Sequence, residues 1–385
     1  MKPITKIFWG VVLLVATSCS EQPNNMLTVI SPDGSCRRDF YAYVDSAFMT
    51  SDFGKKKNPF PVEIDSTYIV AWQYRNGEIK RNFPVSPQEY EAIVLADTSA
   101  EMQIRNKEFL VFISRRYKSV EEMATQFRLK PDHAWSKMNI QYRFEKKFRF
   151  FYTYYLYQET YPRLDLPFDV PLENYMTKEE SDFWFTGVPN LTEGMNGVEA
   201  EECLSEIERK YRTWFEHNRW NMQYDFIASH YDMVENPPVS KEEFIALKDT
   251  VFETVYNMFG IDDMKMGHEL DAYFKTDVFK IFEDTKDSTF TSLDDLLLNE
   301  DFVSYFSDCF AYRLIMPGKV TSSNGVMRGD TLNWNLTAYR MIPDNYVLEA
   351  KSQKLNIPIV LLTVILALTA IGIFIYRRKQ EKMFR

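Results

Sequence analysis

Ile140-Gln141-Tyr142-Arg143-Phe144-Glu145-Lys146-Lys147-Phe148-Arg149-Phe150-Phe151-Tyr152-Thr153-Tyr154-Tyr155-Leu156 is the stretch whose reading decides the fold. Ile140, Tyr142, Phe144, Phe148, Phe150, Tyr152, Tyr154 and Leu156 all fall on even positions, and the odd ones include Gln141, Arg143, Glu145, Lys147 and Arg149. Period-two alternation is the pattern of a strand with one buried and one wet face. A break near Lys146-Lys147 makes it a hairpin; without one it is a single long, twisted strand.

Upstream, the chain also reads as strands. Leu27-Thr28-Val29-Ile30, the turn Ser31-Pro32-Asp33-Gly34-Ser35 and Arg38 to Val44 form one such unit. Tyr68 to Tyr74 and Phe109 to Ile113 are further strands, and the segment from Val85 to Arg105 has a helical pattern. Downstream, Pro162, Pro167 and Pro171 mark a linker. Helical spacing then takes over: Leu204, Ile207, Tyr211, Trp214 and Phe215, and again Phe244, Leu247, Val251, Val255 and Met258. The second helix opens with a capping box at Ser240-Lys241-Glu242-Glu243 and closes at Gly260. Helices are also expected from Met266 to Glu283 and from Asp295 to Ser307. Strands return after Tyr312, with Asn324-Gly325 as a tight-turn pair. Leu332, Trp334 and Leu336 alternate with polar neighbours, and Tyr346 to Glu349 is the last strand.

The expected class is α+β: a sheet formed from N-terminal and C-terminal strands with an inserted helical segment, plus one C-terminal transmembrane helix. The expected divisions are a signal (1–18), a β-rich part (19–176), a helical segment (177–310), closing strands (311–355), a membrane helix (356–376) and a basic tail (377–385).

The two chain ends carry the address. Lys2 and Lys6 precede a short apolar run, Ile7 to Ala16, which is too short to span a bilayer. Val15-Ala16-Thr17-Ser18-Cys19 is similar to a lipobox, which makes Cys19 the acylated first mature residue. The runner-up is an ordinary signal peptide cut near Ser18. At the other end, Ile357–Tyr376 contains no charge and is long enough to cross the ~30 Å hydrocarbon core. Arg377, Arg378, Lys379, Lys382 and Arg385 follow it, against Lys351 and Lys354 before it. The positive-inside asymmetry places the tail in the cytoplasm and the ectodomain in the periplasm. A compact ectodomain has a radius of gyration of only ~20 Å, so both anchors are expected in one inner membrane.

The chain has formal charge −10. Lys2 and Lys6 contribute +2 and the tail after Tyr376 contributes +4, leaving −16 on the ectodomain. So acidic a domain argues against nucleic acid as a partner and against lying flat on anionic lipid. Aromatic residues make up 16% of the chain, enough either for a large core or for an aromatic-lined site. Besides Cys19 there are Cys36, Cys203 and Cys309, so one internal disulfide is allowed, with Cys203–Cys309 as the candidate pair.

Asp33-Gly34-Ser35 near the start, and Met316-Pro317-Gly318, Asn324-Gly325 and Leu332-Asn333-Trp334 before the membrane span, resemble the LppM-type group of membrane-anchored bacterial lipoproteins. These motifs cover about a quarter of the chain, and the long helical middle departs from the family pattern. The resemblance implies an α+β ectodomain with a hydrophobic-ligand or envelope-lipid role, and no catalytic residues. A second resemblance concerns modification. Asp45-Ser46-Ala47, Asp65-Ser66-Thr67, Asp249-Thr250-Val251, Asp287-Ser288-Thr289 and Asp330-Thr331-Leu332 look like the O-glycosylation sequon of Bacteroides-type bacteria. That would modify Ser46, Ser66, Thr250, Ser288 and Thr331. Helix caps and turns favour the same pairs.

No motif for catalysis stands out. His133, His217, His230 and His268 fall in no zinc-protease pattern. Asp262-Asp263 with His268-Glu269 reads as a polar helix–helix turn before it reads as a metal site, and Asp294-Asp295 as a helix start. There is no Gly-x-Ser-x-Gly elbow and no phosphate loop. The expectation is therefore a protein without enzymatic activity, cofactor or metal. It would be held by lipid through Cys19 and Ile357–Tyr376, and would bind an apolar envelope molecule in a cavity or dock as a subunit on a membrane-protein partner.

Overall fold

The computed structural model describes residues 24–50, 58–75, 77–96, 109–260, 266–282 and 305–383. They form an α+β protein of two compact units, a β-sandwich and a helical unit. Cys19, Ser288 and most of the helix expected from Asp295 lie outside the described residues.

The sandwich is built from β1 (Asn24–Ile30), β2 (Cys36–Val44), β3 (Ile69–Tyr74), β4 (Phe109–Tyr117), β5 (Gln141–Arg149), β6 (Tyr152–Tyr161), β7 (Cys309–Ile315), β8 (Lys319–Ser323), β9 (Val326–Arg328), β10 (Thr331–Thr337) and β11 (Tyr346–Leu355). One sheet runs β3-β4-β2-β1-β7-β10-β9 and the other β5-β6-β11-β8. The turn at Asp33-Gly34-Ser35 forms as its sequence demands, with the Asp33 carboxylate accepting the Ser35 N–H at 3.0 Å. β1 is antiparallel to β2 and parallel to β7, from Asn24↔Phe310 to Val29↔Ile315. The two ends of the chain therefore build one sheet, as expected. Helices α1 (Pro87–Ala96) and α2 (Val120–Gln126) flank β4 in sequence, α2 packs against β4 and β5, and it starts at Ser119, whose hydroxyl accepts the Glu122 N–H.

The deciding stretch is a hairpin, but its turn is Phe150-Phe151 and not Lys146-Lys147. Arg149 pairs with Tyr152 and Phe144 with Tyr157, so even residues of β5 lie opposite odd residues of β6. Directly paired residues share a face. The buried set on β6 is consequently Thr153, Tyr155, Tyr157, Glu159 and Tyr161, while Tyr152 and Tyr154 face out. The expectation of one even-numbered buried face fails at the turn, because a two-residue connection reverses the parity of the pairing.

Asn324-Gly325 is also not a simple hairpin. It connects β8 in one sheet to β9 in the other, so the chain changes sheets there. Glycine is required at this corner because a Cβ on Gly325 would lie 2.4 Å from the Trp334 ring. The preceding crossing, at Pro317-Gly318, requires glycine twice over. Gly318 has φ +77°, and a Cβ there would lie 2.3 Å from the Gln353 carbonyl oxygen.

The helical unit comprises Arg163–Asp308 and Thr337–Asn345. The boundary thus falls at Pro162, earlier than the expected residue 176, and a late segment returns to this unit. The prolines do not mark a free linker: Val170 in their midst donates its N–H to the Asn218 side chain at 2.9 Å and accepts from Trp214 Nε1 at 2.8 Å. The unit contains α3 (Lys178–Thr186), α4 (Gly197–Ser229), α5 (Lys241–Ala246), α6 (Lys248–Phe259) and α7 (Met266–Phe274). The helix expected over 240–260 is interrupted at Leu247, and the one expected from Met266 stops at Phe274. Capping boxes start α3 at Thr177 and α4 at Asn196. The 33-residue α4 is the spine. Ile207, Tyr211 and Trp214 pack with Leu172, Phe185 and Ile342; one stretch later, Trp220, Tyr224 and Ile227 pack with Phe244, Val251 and Leu270.

The last element, α8 (Ile357–Met383), contains one candidate membrane span, Ile357–Lys379, with no buried surface. The hydroxyls of Thr363 and Thr369 donate at 2.8 Å to carbonyls one turn back, which satisfies them inside hydrocarbon. Among the described residues α8 is the one helix long and apolar enough to cross a membrane, consistent with a single pass.

Candidate functional site

Two arrangements in the sandwich carry unusual chemistry. The first is a buried ionic cluster between the sheets. β2 turns Cys36, Arg38 and Phe40 inward, so Arg38 follows the apolar phase of its strand; on β6, Glu159 sits in phase with Tyr157 and Tyr161. Arg38 and Glu159 are 1% and 0% exposed and form a direct ion pair. The Arg38 Nε donates to Thr28 Oγ1 at 3.1 Å, and the guanidinium lies 4.6 Å over the Phe127 ring. Around the carboxylate, Tyr157 donates to Oε1 at 2.5 Å and Tyr161 to Oε2 at 2.9 Å, while the Tyr312 hydroxyl bridges to Glu159 and Thr28. Tyr142 lies 3.4 Å from Arg38 Nη1.

The electrostatics are those of a sealed site. Burial, then the Glu159 charge, push the Tyr157, Tyr161 and Tyr312 hydroxyls well above the usual phenol range. Burial pushes Tyr142 up to about 12, with Arg38 opposing. For Arg38, burial pulls downward and the adjacent Glu159 more than compensates. The Tyr157, Tyr161 and Tyr312 phenols are neutral donors at neutral pH, Tyr142 accepts from Arg38, and both carboxylate oxygens are engaged. The cluster is a structural clamp between two sheets.

The second arrangement is open to solvent. β11 pairs with β6 down to Leu355↔Tyr152, and Asn356 follows at once. Asn356 donates its N–H to Phe151 O at 2.7 Å and its side-chain amide to Phe150 O at 2.7 Å, and accepts from Thr153 Oγ1 at 2.8 Å. Its own carbonyl accepts the N–H groups of Ile359 and Val360, at 3.0 and 3.1 Å. One residue thus ties the hairpin turn, the end of the sheet and the first turn of α8 together. Around it Phe148, Phe150 and Phe151 are 61%, 58% and 40% exposed.

The residues singled out by sequence scatter. Cys203 lies half-buried on α4 and Cys309 is buried at the start of β7. Cys203 is a free thiol, so the expected Cys203–Cys309 bridge is not formed. Cys36 is a free, buried thiol raised to about 11 by burial, which removes it from thiolate chemistry. Ser46, Ser66 and Thr250 are exposed, and Thr331 is half-buried. Asp45 caps a one-turn helix and Asp65 closes a turn onto Thr67, a structural use of the same pairs. His133 caps a 3-10 turn through Nδ1, and His230 bonds the Phe226 carbonyl at 2.9 Å. His217 stacks 3.9 Å from Phe252, with burial holding its pKa below the usual range. Among the described residues no group of three His, Cys, Asp or Glu is placed to hold a metal. Arg38, Glu159 and Asn356 were not singled out by the sequence. A charge in phase with buried apolar neighbours was the available signal for the first two, and an Asn directly before an apolar helix for the third.

Comparison with known proteins finds no match among family models, curated proteins or solved structures.

If the ion pair clamps the sheets, losing one partner must strand the other. Arg38→Met alone should cost about 3–5 kcal/mol of stability, and Glu159→Leu alone a similar amount. The double variant should recover a large part of the loss in denaturant titration of the full chain in detergent. Additive losses would show that the two charges do not depend on each other.

Proposed function

We propose that this chain is a non-enzymatic, membrane-tethered lipoprotein, anchored through Cys19 and α8, whose periplasmic ectodomain is an interaction subunit of a cell-envelope complex. The observation that carries the reading is the junction at Asn356. A strand hydrogen-bonded along its whole length runs into the apolar helix without a linker, so the β5-β6-β11-β8 sheet and the span are mechanically one piece. A substrate-shuttling domain needs reach, which flexible tethers supply; this junction supplies fixed position.

A docking role also accords with the start of α4. Its first turns expose Val198 and Leu204 beside Glu201, Glu202 and Glu206. The resemblance to LppM-type lipoproteins favours the other reading, a carrier of apolar envelope molecules. Inside the sandwich, however, Arg38 and Tyr312 of one sheet touch Tyr157 and Glu159 of the other. An apolar lumen would have to displace this cluster.

Orientation is tested with a phosphatase reporter. Fused after Arg385 it should be inactive, and fused at Leu355 active; the reverse pattern would overturn the periplasmic assignment. The docking role is tested by purifying the full chain in mild detergent. A stoichiometric membrane-protein partner is expected, and a bare chain carrying bound lipid would instead establish the carrier reading.

A further inference from the structure

The tip of the β5–β6 hairpin exposes three phenylalanines side by side, an arrangement that water does not favour. Phe150 also adopts φ +43°, in the left-handed region where glycine or asparagine would sit at less cost. Turn chemistry has been given up for aromatic surface. The tip does not hang free: Asn356 holds the Phe150 and Phe151 carbonyls at 2.7 Å each, and the next residue, Ile357, begins the candidate span. A bilayer whose edge lies at Ile357 must reach the tip. Phe148, two residues before the turn on β5, lies about 7 Å back from the tip, a distance comparable to the thickness of the headgroup layer.

The local charge is opposite to that of the ectodomain as a whole. Lys146, Arg149 and Lys354 are exposed around the tip. The nearby acid, Glu145, is engaged by Arg143 and by Lys147, the latter at 2.7 Å. Aromatic side chains ringed by basic ones match an anionic membrane surface: rings at the level of the headgroups and acyl chains, cations on the phosphates.

We propose that the β5–β6 hairpin tip is a second membrane contact, with Phe148, Phe150 and Phe151 inserted into the outer leaflet of the bilayer that α8 crosses. Lys146, Arg149 and Lys354 lie on its anionic headgroups. The inference rests on the reading of α8 as a membrane span. It gives the ectodomain a defined orientation on the membrane, since a helix and a hairpin tip together remove rotation that a single helix would leave free.

The test places the photoreactive residue p-benzoylphenylalanine at Phe150, Phe148, Tyr43 or Leu366 of the full chain, reconstituted in vesicles of phosphatidylethanolamine and phosphatidylglycerol. Tyr43 is exposed on β2, at the end of that strand away from the turn at Gly34, which packs on Phe144 of the hairpin. Leu366 lies in the middle of the span. Phe148 is a strand position and serves if the residue at Phe150 disturbs the turn. Lipid adducts found by mass spectrometry at Leu366 and at Phe150 or Phe148, but not at Tyr43, are the expected result. Adducts at Leu366 with none at either hairpin position overturn the proposal while leaving the span intact. No lipid adduct at Leu366 overturns the span and the proposal with it. Adducts joining Phe150 to a protein chain instead of lipid overturn the proposal in favour of a protein interface.

Discussion

The β6–β11 ladder is the constraint on which the rest of the sandwich depends. It runs without a register shift from Tyr161↔Tyr346 to Tyr152↔Leu355. That register decides which face of β6 is inward and therefore delivers Glu159 to Arg38. The same register ends β11 beside the hairpin turn, where Asn356 can reach two turn carbonyls. A slip of one residue would turn Glu159 outward, leave Arg38 buried without its partner and detach the helix from the sheet.

A buried ion pair is an expensive way to hold two sheets together, and an apolar pair of equal volume often packs as well. Its advantage here is directional. Arg38 and Glu159 are met by hydroxyls from Thr28, Tyr157, Tyr161 and Tyr312, on strands of both sheets. An aromatic-rich core can pack in several near-equivalent ways. A carboxylate and a guanidinium with fixed partners admit far fewer arrangements. The parallel β1–β7 pairing brings together strands distant in sequence, and it gains most from such a lock.

Much of the architecture was legible in sequence because period and phase survive without context. The strand-helix-strand order, the joining of both chain ends in the sheets, the capped start of α5 at Ser240 and the C-terminal apolar helix follow from local patterns. What failed depended on pairing. The even-position aromatics promised a single buried face, and the turn at Phe150-Phe151 reversed it. Asn324-Gly325 promised a tight hairpin, but the glycine serves the approach of Trp334 at a sheet-to-sheet corner. The proline-rich segment after Pro162 read as a linker because nothing local reveals that Asn218, far along α4, bonds its backbone. Cys203 and Cys309 were paired by count, which carries no information on distance. The buried Arg38 was readable from the phase of Cys36 and Phe40, but charged residues are so seldom buried that the phase alone argues weakly.

What ties the sandwich to α8 is the rigidity of the junction that sheet, hairpin turn and helix share at Asn356. Amide-resolved hydrogen exchange of the full chain in a lipid nanodisc tests it most directly, at the Asn356 N–H, which is bonded to Phe151 O at 2.7 Å. A rigid junction requires that this amide exchange as slowly as the paired amides in the middle of β11. Exchange at the rate of an unstructured peptide, with β11 still protected, would show a flexible hinge between ectodomain and membrane and contradict that rigidity.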